Sequence, residues 1–408
     1  MSKAGKGRAL IIGGSISGLF AGLLLRRAGW EAEIFERVDG ELTGRGAGIV
    51  THAETHALLG AAGLDSSRNF GVDIAGRRTL DRDGRLIGEH ACPQTVTSWD
   101  RVFRLLREAF PAERYHAGKE LQRFDDDSAR VTAQFADGTA AQGDLLIGAD
   151  GFRSTVRAAI LPAVRPQYAG YVAWRGLVAE GALSQATHHD IFDAMVFCLP
   201  PGEQFLGYPV AGPGDDLRPG ARRYNFVWYR PADETTELQD LLTDATGHVH
   251  ALSIPPPLVR AEVVAGLRAA SQRLLAPQLQ ETVTLTPQPF LQPIYDLESP
   301  RMAVGRVALL GDAAFLGRPH VAAGVTKAAE DALALVTALQ SSADVPVALR
   351  RFEVARMAPN RRVVELARTL GASLQPNLAT AEERAAAARH HTPEAVMAEV
   401  AVLDFTRA

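Results

Sequence analysis

The sequence predicts an α/β chain that joins a parallel, helix-covered sheet to a mostly antiparallel sheet and a helical C-terminal part. Three observations predict it. Residues 8–36 read strand, glycine-rich turn, helix, strand. Four short aromatic and β-branched segments, at 168–174, 195–199, 204–210 and 224–229, are separated by turns rich in glycine and proline. Alanine-rich helical spacing then dominates from residue 324 onward.

Each element has a local reason. Residues 8–12 are a short apolar strand, 13–18 a turn, and 17–27 a helix stopped at Gly29. Residues 33–36 lie on the next strand, which completes one βαβ unit and implies a parallel sheet. Residues 98–110 carry Val102, Leu105, Leu106 and Ala109 at helical spacing and end at Pro111. Residues 131–135 and 143–147 flank Asp137-Gly138, a hairpin turn. The four segments between 168 and 229 read as an antiparallel sheet, followed by helices at 235–244 and 259–270. Residues 305–310 return to a buried strand of the parallel type, and a long helix covers 324–340. The tail from about residue 347 is helical with a break near Pro376. The expected division assigns 1–75, 98–165 and 296–370 to one domain, 76–97 and 166–295 to a second, and 371–408 to a helical tail.

Composition narrows the class. A net charge of −4 with no long run of like charge points away from nucleic acid and from anionic membrane. Residues 9–25 are mostly apolar and follow Lys3, Lys6 and Arg8, but they contain four glycines and two serines at motif spacing, unlike a signal peptide or membrane span. The only cysteines, Cys92 and Cys198, form no CxxC pair, so a disulfide framework or zinc site is not expected and a cytoplasmic location fits. His52, His56, His90 and His116 show no metal-ligand spacing.

The first chemical motif is Gly13-Gly14-Ser15-Ile16-Ser17-Gly18 between a strand and a helix. Its glycines permit close approach of a pyrophosphate, and the helix start supplies free N–H groups and a positive dipole end. Glu36 stands 23 positions after Gly13, where a carboxylate accepts ribose hydroxyls. This motif implies a dinucleotide without separating FAD from NAD.

Two further motifs bear on that choice. One is Gly148-Ala149-Asp150-Gly151-Phe152-Arg153-Ser154 with Val156-Arg157 after it. The other is Gly311-Asp312-Ala313-Ala314, then Pro319, Gly324 and Asp331-Ala332. In this order and spacing, over roughly residues 8–370, the chain resembles the FAD-dependent aromatic-ring hydroxylases of the p-hydroxybenzoate hydroxylase type. Residues 168–176, Tyr208-Pro209, 225–229 and 318–324 are similar to a branch of that family acting on nitrogen heteroaromatic phenols.

The resemblance implies a Rossmann-type FAD-binding domain, a mostly antiparallel substrate domain and C-terminal helices. It also implies FAD as cofactor, NADH or NADPH as a transient co-substrate, and hydroxylation of an electron-rich phenol by oxygen through a flavin hydroperoxide. The residues expected at the cofactor are Gly13, Gly14, Ser15, Ile16, Gly18, Glu36, Arg37, Arg45, Gly48, Asp150, Asp312, Ala323, Gly324 and Val325. Asp312 follows a buried strand, where a carboxylate needs a hydrogen-bond partner such as a ribityl hydroxyl, or caps a helix. Gly324 opens a helix whose N–H groups suit the flavin pyrimidine.

His320 and Tyr208 are the expected catalytic groups, and Tyr208, Trp228, Pro319 and His320 the expected substrate contacts. Bland alternatives are a hydrogen-bonded loop histidine and core aromatics. One departure stands out: many members carry an arginine where this chain has Ser98, and Arg101 or Arg104 are the available substitutes. Rival readings are a flavin halogenase or reductase on the same scaffold, or a non-catalytic flavin-binding protein. The halogenase stretch Trp-x-Trp-x-Ile-Pro does not occur. The expected partners are a small aromatic substrate and oxygen, with no nucleic acid and no membrane; homodimer formation is left open.

Overall fold

The computed structural model describes residues 7–40, 42, 48–65 and 70–402. Arg8–Ile12 runs parallel to Glu31–Phe35 on one side and to Leu145–Gly148 on the other, and Val307–Leu309 pairs parallel to Leu145–Gly148. These strands are buried almost throughout, as central parallel strands must be when helices cover both faces. Ala303–Val304 and Tyr115–His116 form the edges of this six-stranded sheet. Helix Ile16–Arg27 packs against the long helix Gly324–Gln340, and both share one core with Leu10, Ile11, Leu146 and Leu309.

The second sheet has nine strands in the order Phe315–Leu316, Phe290–Glu298, Gln167–Ala179, Arg223–Pro231, Gln204–Val210, Ala194–Cys198, Val72–Leu80, Leu86–Ser98 and Gly48–Val50. Alternation of side chains splits it into two faces. Trp174, Phe226 and Trp228 pack on one side with Leu267, Leu279 and Val283 of helices Ala261–Leu274 and Pro277–Leu285. Tyr171, Tyr208, Val227 and Tyr229 occupy the other, against Val396, Met397 and Val400 of the C-terminal tail.

Several boundaries differ from expectation. The hairpin at Asp137-Gly138 joins Val131–Phe135 to Ala140–Gly143, with Gly138 at φ +81°, as its turn residues require. The strand after the turn then stops at Gly143, and Leu145–Gly148 enters the other sheet. The apolar run hides that break, which is fixed by Asp144: its carboxylate accepts from the Arg8 N–H at 2.8 Å and its own N–H donates to the Arg8 carbonyl at 2.7 Å. The helix expected at 235–244 covers only Glu237–Leu241, because Asp233 holds the N–H groups of Thr235 and Thr236 in a turn. Val72–Leu80 and Leu86–Ser98 are not legible as strands, because their outward positions mix charged groups such as Asp73, Arg78 and Glu89 with exposed apolar ones such as Leu86 and Ile87, which blurs the alternation. No helix among the described residues is long and apolar enough to cross a membrane.

Candidate active site

The glycine turn follows strand Arg8–Ile12 of the parallel sheet and leads into the start of helix Ile16–Arg27. Gly13 has φ +105°, a conformation that L side chains rarely adopt, and a Cβ on Gly18 would collide with the Gly13 carbonyl oxygen. Ser15 precedes the helix without capping it, so the first N–H groups have no side-chain partner there. Glu36 is buried, its two oxygens accepting from the N–H of Gly14 at 2.8 Å and of Val38 at 2.9 Å. Each carboxylate oxygen keeps a second lone pair for another donor. Arg37, next to it, is exposed. Tyr115 donates to the Gly14 carbonyl at 3.1 Å, and burial pushes its hydroxyl up to about 12.

The second and third motifs are tied together by Arg157. Its guanidinium donates to the carbonyls of Phe152 at 2.6 Å and Ala313 at 3.0 Å. Asp331, fully buried, accepts from the Gly311 N–H at 3.0 Å and from Arg356 and Asn360 on the next helix. The turn carrying Asp312 is thereby anchored from behind. Surrounding protein pushes the Asp312 carboxyl above its ordinary range, and Lys327 pulls it back. Yet 46% of the Asp312 side-chain surface remains accessible, and its nearest cation, the Lys327 ammonium, stands at 3.7 Å. Accessible surface is what a ligand can touch, so Asp312 presents an open carboxylate. Ser17 Oγ, Asp150 Oδ1 and Lys327 Nζ are buried polar atoms without hydrogen-bond partners along the same motifs. Ala323 precedes helix Gly324–Gln340 with no side-chain cap, and Gly324 is exposed.

His320 sits in the turn Pro319–Val321, which Pro319 opens. It is 1% exposed, its Nε2 lies 2.7 Å from the Tyr171 hydroxyl, and its Nδ1 is buried without a partner. Burial pushes the imidazole down to about 3, with Arg318, His391 and Arg175 adding to the effect. Burial drives the Tyr171 hydroxyl far above its ordinary value, so it stays protonated. The Tyr229 ring stacks at a tilt on His320 with centroids 4.5 Å apart. Tyr208 lies in the same cluster as Tyr171 and Tyr229 and packs against Gly48, whose N–H donates to Asn225 Oδ1 at 3.0 Å. Burial raises the hydroxyls of both Tyr208 and Tyr229, and the Arg175 charge lowers both.

Some expectations are corrected. Trp228 is fully buried on the opposite face of the sheet, in the apolar cluster with Leu267 and Leu279, so it does not line the Tyr208 side. Strand parity is the reason: its neighbour Tyr229 points where Trp228 was expected. Asp150 is largely committed to its own loop, its Oδ2 accepting from Thr155 at 2.7 Å and Val156 at 3.2 Å at the start of helix Thr155–Ile160. Ser98 caps helix Trp99–Ala109. Arg101 and Arg104 both pair with Asp215, at 3.1 and 2.6 Å. Arg45 lies outside the described residues.

Sequence reasoning missed Tyr171, Arg175, Tyr229, Lys327 and His52. His52 is buried against the backbone at Ala322, and its imidazole is pushed down to about 4. A period-two reading of 168–176 and 224–229 selects Tyr171, Arg175 and Tyr229 together once one face is known.

The three motifs therefore offer uncapped helix starts, the Glu36 carboxylate with lone pairs to spare and the accessible Asp312 carboxylate, which fit a dinucleotide carrying a polyhydroxy chain. A family model described as "FAD binding domain-like" matches residues 168–296. The 2,6-dihydroxypyridine 3-monooxygenase of Paenarthrobacter nicotinovorans is 33% identical over 374 residues, 90% of this chain and 91% of that protein. The chain belongs to the FAD-dependent aromatic-ring hydroxylases. The solved 2,6-dihydroxypyridine-3-hydroxylase from Arthrobacter nicotinovorans superposes with a TM-score of 0.85 at 31% identity, covering 91% of this hydroxylase and 94% of that chain. Klebsiella pneumoniae HpxO, complexed with FAD and uric acid, gives a TM-score of 0.73 at 25% identity, over 96% and 95% of the two chains. This hydroxylase binds FAD and uses NADH or NADPH, and the halogenase, reductase and non-catalytic readings fall away.

Proposed function

We propose that this enzyme hydroxylates an electron-rich, hydroxylated nitrogen heteroaromatic ring held between the His320 turn and the Tyr208 face of the nine-stranded sheet. The observation that carries the reading is His320 itself. One imidazole nitrogen is engaged by Tyr171 and the other is buried and unmatched. If Nε2–H donates to Tyr171, the Nδ1 lone pair is left for the proton of a ring hydroxyl. Kept neutral by burial, the imidazole is a weak base alone. An oxyanion forming beside it raises its proton affinity, and Arg175 stabilises that oxyanion. Both effects favour the ionised ring, which is the more electron-rich form. The dihydroxypyridine named for the 33% relative is a ring of this class.

In this reading the N–H groups at Ser15 and Ile16 hold the FAD pyrophosphate, with Gly13 and Gly18 shaping the turn and the Gly14 N–H kept on Glu36. Glu36 holds the ribose and Asp312 the ribityl chain. The N–H groups of Ala323, Gly324 and Val325 face the flavin pyrimidine. When bound, FAD would supply the redox chemistry by which two electrons from NADH or NADPH reach oxygen, so that one oxygen atom enters the ring and the other leaves as water. Asp150 Oδ2 and Pro319 shape their loops, Asp150 Oδ1 stays open to a ligand donor, and Gly48 and Asn225 brace Tyr208. The purified yellow protein tests the substrate reading directly. NADH and NADPH oxidation is followed with 2,6-dihydroxypyridine, 6-hydroxynicotinate, urate and simple benzoates, with product analysis. A hydroxylated N-heteroaromatic should accelerate oxidation at least about tenfold and appear as product; acceleration and hydroxylation confined to the benzoates would sink the reading.

A further inference from the structure

The C-terminal tail is held down by a buried cation. Arg77, on strand Val72–Leu80, is 0% exposed. Its Nη1 donates to the carbonyls of Met397 at 2.8 Å and Val400 at 2.6 Å, and its Nη2 to Gln94 Oε1 at 2.6 Å and the Ala401 carbonyl at 3.3 Å. Gln94 Nε2 reaches the same Ala401 carbonyl at 3.4 Å. These carbonyls end helix Pro393–Glu399, where a cation is favourably placed. These carbonyl and amide partners are neutral, and burial pushes the guanidinium down from its ordinary value, with Cys92 opposing.

The far end of this clamp touches the active site. The Ala401 N–H donates to the His320 carbonyl at 2.7 Å. Ala401 has φ +55°, a left-handed conformation that alanine rarely adopts, and Ala322, two residues past His320, has φ +53°. Val396, Met397, Val400 and Ala401 are buried in the cluster that contains Tyr171, Tyr208 and Tyr229. His391 adds a bond at the tail's entry, its Nε2 lying 3.1 Å from the Glu203 carbonyl. An uncommon backbone conformation and a buried cation thus converge on one main-chain contact, to the residue whose imidazole faces the sheet.

We propose that Arg77 is a positioning residue: it fastens residues 393–401 across the Tyr208 face, and this segment fixes the His320 turn and keeps water from it. The inference rests on reading that face as the substrate pocket. Arg77 touches no reacting group, so its effect passes through the tail.

The holoenzyme tests this with two readouts. The first is the rate at which diethyl pyrocarbonate modifies His320, read by peptide mass spectrometry. The second is the fraction of NADH or NADPH oxidation recovered as hydroxylated product rather than peroxide, with 2,6-dihydroxypyridine as probe. In Arg77→Met, modification of His320 should rise about tenfold, as expected when a protecting segment opens locally, while FAD stays bound. Coupling should fall several-fold, and Arg77→Lys should restore part of both. Leu267→Ala, in the core behind the sheet, should lower the melting temperature without changing either readout. Ala401→Pro removes the N–H that reaches His320 and forbids its φ, and should act like Arg77→Met even if that variant fails to fold. The proposal is overturned if a folded, yellow Arg77→Met or Ala401→Pro protects His320 as well as the wild type, or exposes it without loss of coupling. If His320 becomes exposed in the variants but no hydroxylated ring stimulates the wild type, the clamp stands and the substrate reading fails.

Discussion

The motif region at the parallel sheet is built mainly from main chain, whereas the Tyr208 face of the nine-stranded sheet is built from side chains. In the first, Gly13, Gly18 and two uncapped helix starts present N–H groups, and a few carboxylates such as Glu36 and Asp312 complete it. In the second, Tyr171, Arg175, Tyr208, Tyr229 and His320 come from four separate segments. A backbone site tolerates almost no change at its glycines and is indifferent to most side chains around them. A side-chain site depends on strand parity and on what covers the sheet.

The largest effect that can break this contrast is Gly18→Ala. Its methyl meets a backbone oxygen, which cannot swing away as a side chain tip can. The substitution should cost about 3 kcal/mol or more of stability and leave the protein without flavin; normal FAD content and melting temperature would place the pyrophosphate elsewhere. Next comes His320→Gln, which should keep FAD while hydroxylation falls by about 10²–10⁴ and peroxide rises. A more acidic substrate analogue should recover part of the yield. Loss of FAD instead would make His320 a loop-shaping residue and erase the division of labour between the two regions.

Asp312→Ala is the side-chain test of the backbone site. Removing a charge-assisted hydrogen bond should weaken FAD by about ten- to a hundredfold, or roughly 1.5–3 kcal/mol. An unchanged dissociation constant by fluorescence titration would show that the anchored turn alone suffices.

The buried imidazoles give a pH test of the side-chain region. The unfolded chain binds a proton at His52 and His320 near the ordinary value of 6.5, and the folded chain only near about 4 and about 3. Stability is therefore full above about pH 6.5 and is lost as pH falls, by about 1.4 kcal/mol per unit for each imidazole. Urea melts at pH 7.5, 6 and 5 should show this slope, with buried His391 adding in the same direction, and His52→Gln should flatten it in part. A flat profile over that range would mean that both imidazoles protonate in the folded state.

The smallest effect sharpens the parity argument. Trp228→Phe should cost about 1 kcal/mol and leave kcat/KM unchanged, because it sits behind the sheet. Tyr229→Phe, one residue on, should change KM with little loss of stability.

The βαβ opening, the three flavin motifs and the order of parallel and antiparallel parts are legible in the chain before it folds. These rest on short-range physics: glycine where only glycine fits, apolar runs where strands are buried on both faces, and helix starts next to them. The motif spacing carried the cofactor for the same reason, since a pyrophosphate site is a few consecutive residues long. Folding settles that Trp228 packs in the cluster behind the sheet while Tyr229 faces His320, because a one-residue change of register inverts every side chain on a strand. It also decided that Arg101 and Arg104 are spent on Asp215, that Asp150 braces its own loop, and that Arg77 reaches residues more than 300 positions away. Contacts of that range are made by topology, and no local pattern in the chain encodes them.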